Sequence, residues 1–150
     1  MSRAIPDGFA ALRLPANPFI EACGPLYGRR DGDGLMLGLR VERRHCNPGG
    51  SCHGGMLGTL ADMLLVLGAS ARAGGRYALT VSLNCDFIAP APEGAWIDGR
   101  LQVLRATRSL IFCQGTLAVD GEPVLRLSGI AKPGGEPDPA FTLARWLGEV

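Results

Sequence analysis

Between Met56 and Ala71 the chain is apolar apart from one acidic residue, Asp62. A carboxylate buried without a partner costs on the order of several kcal/mol to ionise, so something must offset the charge. The structural reading bonds Asp62 to a backbone group or to an Arg of a facing strand. The functional reading makes it an acid or base in a cleft, and periodicity leaves both open. Just upstream stands His53-Gly54-Gly55, where a helix would begin. The first N–H groups of a helix have no intrahelical partner, and residues without side chains let a ligand oxygen approach them closely. Together with the helix dipole this makes a candidate oxyanion hole for a carbonyl that gains negative charge during acyl transfer. The glycines would serve a tight turn or close packing equally well.

Gly54 and Asp62 lie about 12 Å apart along a helix that rises roughly 1.5 Å per residue. One chain therefore cannot bring both groups to one small carbonyl. Two copies, each supplying one group, remove the difficulty. His45-Cys46 and Cys52-His53 could in principle supply four N/S metal ligands, but adjacent ligand pairs so close in sequence make poor tetrahedral geometry, and no metal is expected.

The elements that must position these residues follow from punctuation and period. Residues up to Asn17 are broken by Pro6 and Pro15 and predict a loosely attached arm with at most a short helical turn. Gly24 to Arg30, the turn Asp31-Gly32-Asp33-Gly34 and Leu35 to Arg40 read as a hairpin. A Gly-rich loop from His45 to Gly55 leads into a helix from about Gly54 to Ala73, closed by Gly74-Gly75. That helix is apolar nearly all round and must be wrapped by other structure. Four strand-like runs follow, Tyr77 to Ala89, Ala95 to Ala106, Leu110 to Val119 and Val124 to Ala131, and their short breaks predict antiparallel neighbours. Pro133 to Pro139 reads as a linker, and Ala140 to Val150 as a short terminal helix. The sum is an α+β domain spanning 1–150, with an arm (1–23) and a tail (133–150).

Composition narrows the function classes. The 150 residues are 47% hydrophobic and carry a formal net charge of +1, which gives no global field for nucleic acid or an anionic membrane. The prolines near the N-terminus interrupt any signal-peptide core, so a cytoplasmic location is expected. Met56 to Ala71 is shorter than the roughly 20 residues that span a bilayer, so a buried helix is expected and no membrane partner. Five scattered cysteines without a CxxC pair fit reduced thiols used for packing.

Asn47, Gly50, His53-Gly54-Gly55 and Leu60-Ala61-Asp62 resemble the N-x-x-G-x-x-H-G-G-x-x-x-x-L-x-D signature of hotdog-fold acyl-CoA thioesterases of the phenylacetate-degradation (PaaI) type, in the 4-hydroxybenzoyl-CoA thioesterase-like superfamily. Val81 to Pro90 resembles the strand that follows the helix in that family, and the similarity runs over roughly residues 35 to 132. The resemblance implies a long central helix wrapped by a curved antiparallel sheet of about five to six strands, in a dimer or tetramer that hydrolyses acyl-CoA. It puts Asp62 at the catalytic acid position, as general base or nucleophile. Gly54 takes the position whose backbone N–H polarises the carbonyl, Asn47 that of an orienting amide, and Thr80, by counting back from Pro90, that of a water-holding hydroxyl. His53 would orient the loop rather than act as a base, and His45 would sit in the loop or at a pocket rim. Arg105 and Arg108 would lie near the CoA phosphates, or equally be solvated turn charges.

A thioester carbonyl gains little resonance from sulfur and a thiolate leaves readily, so one carboxylate with one oxyanion donor suffices. No cofactor is expected beyond the coenzyme A of the substrate. A hydratase of this superfamily would carry His five residues after the helix acid, where this chain has Leu67. A non-catalytic acyl-CoA binding module is the alternative of a different class. The acyl group stays open between aryl and aliphatic, with Met56, Met63, Leu64 and Phe87 as pocket or core candidates.

Overall fold

The computed structural model describes residues 4–150, so residues 1–3 of the expected arm lie outside the described residues. Its central element is helix α2 (Gly54–Arg72), one residue shorter than the sequence predicts. The His53 side chain caps its start, and its end is turned by Gly74 and Gly75 at φ 70° and 96°, a region open to glycine at little cost. By length and mean hydropathy (1.4) α2 could cross a membrane. Here it lies against a sheet, with Leu60, Ala61, Leu64, Leu65 and Ala69 at 0–1% exposure. Gly68 allows the close approach: a Cβ there would fall 2.4 Å from a methyl of Leu101.

The sheet has seven antiparallel strands: β1 (Ala10–Ala11), β2 (Tyr27–Asp31), β3 (Gly34–Arg40), β4 (Tyr77–Phe87), β5 (Trp96–Ala106), β6 (Ile111–Val119) and β7 (Glu122–Gly134). Their order is β1-β2-β3-β5-β6-β7-β4. This is the hotdog arrangement, one long helix wrapped by one antiparallel sheet. The predicted hairpin is β2–β3, in register from Tyr27↔Gly38 to Asp31↔Gly34.

Three expectations are corrected. The short break at residues 88–95 does not make β4 and β5 neighbours, because β4 pairs with β7 and β5 with β3. The connection is instead tied to the loop that precedes α2, with Ala91 fully buried, its carbonyl accepting from Cys52 N–H and Pro92 bridging Ser51. The arm is not loose. Ala10 and Ala11 add the seventh strand, opposite Gly28 and Tyr27, and Asn17 caps helix α1 (Pro18–Cys23), which buries Ile20. Prolines hide the period of this segment, yet several of its apolar side chains pack, as Phe9 does edge-on to Trp96 at 5.0 Å.

Nor is Pro133 a linker residue, since β7 continues to Gly134. β6 pairs no further than Ala131, so the N–H that Pro133 lacks has no ladder partner to lose on that side. The tail ends in helix α3 (Leu143–Trp146), whose Trp146 is fully buried in the main core with its indole N–H donating to the Ala140 carbonyl at 2.8 Å.

Candidate active site

His53 occupies the N-cap of α2, and its Nδ1 accepts the Gly55 N–H at 2.8 Å. The His53 carbonyl accepts from Met56 and Leu57. Gly54 N–H is thus the first-turn donor that these bonds leave over, at the positive end of the helix. The Gly54 surface is narrow. A Cβ there would stand 3.5 Å from the ring of Phe87 at the end of β4.

The loop before the helix is built as a small antiparallel turn. Asn47 N–H donates to the Ser51 carbonyl at 2.8 Å and His53 N–H to the His45 carbonyl at 2.7 Å, with Cys46 opposite Cys52 between them. The Asn47 Oδ1 accepts from Gly49 and Ser51 N–H at 3.0 and 3.2 Å, so the side chain holds its own loop and turns its amide N–H groups to other partners. His45, expected in the loop or at a rim, is 4% exposed. Its Nδ1 accepts from Glu42 N–H at 2.9 Å, so Nε2 carries the hydrogen and donates to the Cys23 carbonyl at 2.6 Å, fastening the loop to α1.

Asp62 lies midway along α2 and is half-buried. Neither a backbone group nor an Arg meets it; the Thr80 hydroxyl on β4 donates to its Oδ1. A bulge at Val81 places this contact. Ala78 and Thr80 face α2 before it, and the register shift between Thr80 and Ser82 moves Leu83, Cys85 and Phe87 to that face after it. Burial holds the Cys85 thiol above its usual range, and the Asp86 and Asp62 carboxylates push the same way, so it stays protonated beside the site.

Asp62 and Thr80 open into a pocket of about 480 Å³ between α2, the start of β4 and the arm. Of the apolar candidates, Met63 lines it, Leu64 is core at 0% exposure, Met56 is buried, and Phe87 is 58% exposed over Gly54. Other walls, the arm residues 14–18 and Phe141, carry no mark in the sequence. They lie far from any motif, and only the fold gathers them. A wider depression of about 810 Å³ on the other face of the sheet is walled by the ion pairs Arg100–Asp31 and Arg126–Asp86 and does not reach Asp62.

Within one chain the structure brings Asp62 and Thr80 together, and separately Gly54, His53 and Asn47. It leaves Arg105 and Arg108 apart from both groups. They are exposed at the β5–β6 turn, three strand spacings, or roughly 14 Å, from Thr80 along the ladder Thr80↔Ala131↔Ile111↔Ala106. The Arg108 carbonyl accepts from Arg76.

Comparison with known proteins shows the family to which the chain belongs. Residues 49–124 match the family model of the thioesterase superfamily. The Pseudomonas aeruginosa protein PA0474, an esterase by name, is 33% identical over 128 residues, 84% of this chain and 95% of that one. Acyl-coenzyme A thioesterase 13 of Mus musculus is 28% identical over 78 residues, 52% of this chain and 56% of that protein. The E. coli PaaI protein of the phenylacetic acid degradation operon has the same fold, with a TM-score of 0.72 at 20% identity over 81% of this chain and 87% of that one. On these matches the chain belongs to the thioesterase superfamily and is a thioester hydrolase built on the hotdog fold.

Proposed function

We propose that this enzyme hydrolyses acyl-CoA thioesters at a site shared by two copies of the chain, Asp62 and Thr80 coming from one and Gly54 and Asn47 from the other. The observation that carries this is the Thr80–Asp62 hydrogen bond at the mouth of an apolar pocket, with the helix N-terminus about 12 Å away on the same helix.

Strand β4 supports the pairing. It is the last strand of the sheet, paired on one side by β7, and it exposes Leu79 and Val81 at 58% and 55%. An exposed apolar edge is a template for another strand. Antiparallel pairing of two β4 strands about Ser82, the midpoint of Tyr77–Phe87, sets Phe87 of one copy opposite Tyr77 of the other. Gly54 packs on Phe87 and Asp62 is bonded to Thr80, so the same pairing carries each oxyanion donor toward the other copy's acid.

In this scheme the Thr80 proton is committed to Asp62 Oδ1, which leaves the hydroxyl oxygen free to accept from a water. Asp62 takes the proton of that water as its oxygen attacks the carbonyl carbon. Gly54 N–H bonds the resulting oxyanion, and the Asn47 amide helps orient the thioester. Collapse breaks the C–S bond, and the CoA thiolate takes up the proton. The scheme needs no metal or redox group. The mouse relative's name supports coenzyme A as the carrier.

Thiol release from a panel of acyl-CoAs, wild type against Asp62→Asn, tests the proposal. A loss of about 100-fold or more in kcat supports it. Unchanged turnover by the variant, or binding without turnover by the wild type, overturns it.

A further inference from the structure

We propose that the acyl group is an aliphatic chain of medium length without a terminal charge, running from Asp62 to an end wall formed by Tyr77 and Phe141. This rests on the thioesterase reading above. The pocket follows α2 from Asp62 through Val66 to Ser70, about 12 Å of helix. An extended acyl chain advances roughly 1.3 Å per C–C bond, so on the order of eight to ten carbons fill that length. At the far end the rings of Tyr77 and Phe141 meet at 4.8 Å and close the way. The arm, residues 14–18, forms the roof.

Two polar groups along this path are engaged. Ser70 Oγ donates to the Val66 carbonyl at 2.7 Å and accepts Ala78 N–H at 3.0 Å, and Asn17 Oδ1 accepts from Ile20 N–H. Among the described residues no cation lines the pocket. A terminal carboxylate on the acyl group would therefore be desolvated without an opposing charge. The roof and Phe141 both fall outside residues 49–124, so part of the pocket is built by segments beyond the region that matches the family model.

The test is kcat/KM across straight-chain acyl-CoAs from two to sixteen carbons and an ω-carboxyl analogue, for wild type, Phe141→Ala and Val66→Phe. The expected wild-type optimum lies near eight to ten carbons, with the ω-carboxyl analogue at least about tenfold poorer than its parent. Phe141→Ala should move the optimum to longer chains and Val66→Phe to shorter ones. An optimum that moves in neither variant, or an equally good ω-carboxyl substrate, overturns the pocket assignment and leaves thioester hydrolysis standing. A wild type inert toward every acyl-CoA overturns the hydrolysis reading and the pocket with it.

A different observation carries a second proposal. We infer that Cys46 and Cys52 form a reversible disulfide that closes the loop bearing Asn47. The two bonds that flank them, Asn47 N–H to Ser51 and His53 N–H to His45, make them a directly opposed pair of the non-hydrogen-bonded kind. The Cα atoms of such pairs lie roughly 4.5 Å apart with side chains on one face, inside the range a disulfide accepts. Both are free thiols, Cys46 half-buried and Cys52 buried. Burial, with Cys46 a lesser cause, pushes the Cys52 thiol up to about 11. Cys46, the more exposed of the two, reacts first, attacking a small-molecule disulfide such as oxidised glutathione and releasing one thiol. Cys52 then displaces the second, losing its proton, so two electrons and two protons leave the chain in all.

Incubation with oxidised glutathione followed by peptide mass analysis decides it. A Cys46–Cys52 cross-linked peptide two hydrogens lighter, reversed by dithiothreitol and absent in Cys46→Ser, is expected. A stable mixed disulfide at Cys46, or unchanged thiols, overturns it.

Discussion

Thr80, on a strand, donates its hydroxyl hydrogen to Asp62, on the helix that the strand covers. The bond fixes which carboxylate oxygen faces outward, and it makes the hydroxyl more than a pocket wall. Thr80→Ser should retain activity within a few-fold, whereas Thr80→Val, of similar shape, should lose about tenfold or more in kcat with a smaller change in KM. Steady-state kinetics on one acyl-CoA checks this, and equal rates for the three proteins would count against a role for the hydroxyl.

Gly54 allows removal of one hydrogen-bond donor with little disturbance. It is the first helical residue, where proline is well tolerated, and His53 at ψ 139° already has the extended conformation that proline requires of its predecessor. Gly54→Pro should keep the far-ultraviolet circular dichroism of the wild type while kcat falls by about 100-fold or more. Full activity would remove Gly54 N–H from the mechanism.

Mixing tests the division of the site between copies. Gly54→Pro and Asp62→Asn are each expected to be nearly inactive alone. Unfolded together and refolded, they should recover about a quarter of wild-type activity, because half the dimers are mixed and each of these holds one intact site. A site contained within one chain would recover none.

His53 is an N-cap, and its expected effect is on stability. His53→Ala should cost about 0.5–2 kcal/mol, seen as a lower denaturant midpoint, and His53→Asn should restore most of it. Loss of turnover in His53→Asn with stability restored would show a chemical role that the Nδ1 bond to Gly55 does not suggest.

The tail is part of the core. Trp146→Ala removes a fully buried ring and its bond to Ala140, with an expected cost of about 3–5 kcal/mol. Thermal unfolding measures it, and a change within error would mean that the tail contributes no stability.

Much of the fold was legible because its signals are local. Asp31-Gly32-Asp33-Gly34 announces the β2–β3 turn, and the apolar run closed by Gly74-Gly75 announces α2 to within a residue. Counting back from Pro90 reached Thr80, which the structure sets against Asp62. What stayed hidden depends on partners distant in sequence. No local pattern shows that β4 leaves its successor to join β7, or that Phe9 and Trp146 find places over the sheet. The alternation of Tyr77 to Phe87 likewise shows no change of face at Val81, because a bulge is visible only against the strand it slips past.

That slipped residue governs which lesions β4 can absorb. A substitution on its exposed side leaves the pleat intact. Inserting one residue between Ser82 and Leu83 adds a second slip and turns every later side chain over, so that Phe87 leaves Gly54 and Asn84 and Asp86 point at the helix. In this strand, length is a stricter requirement than composition.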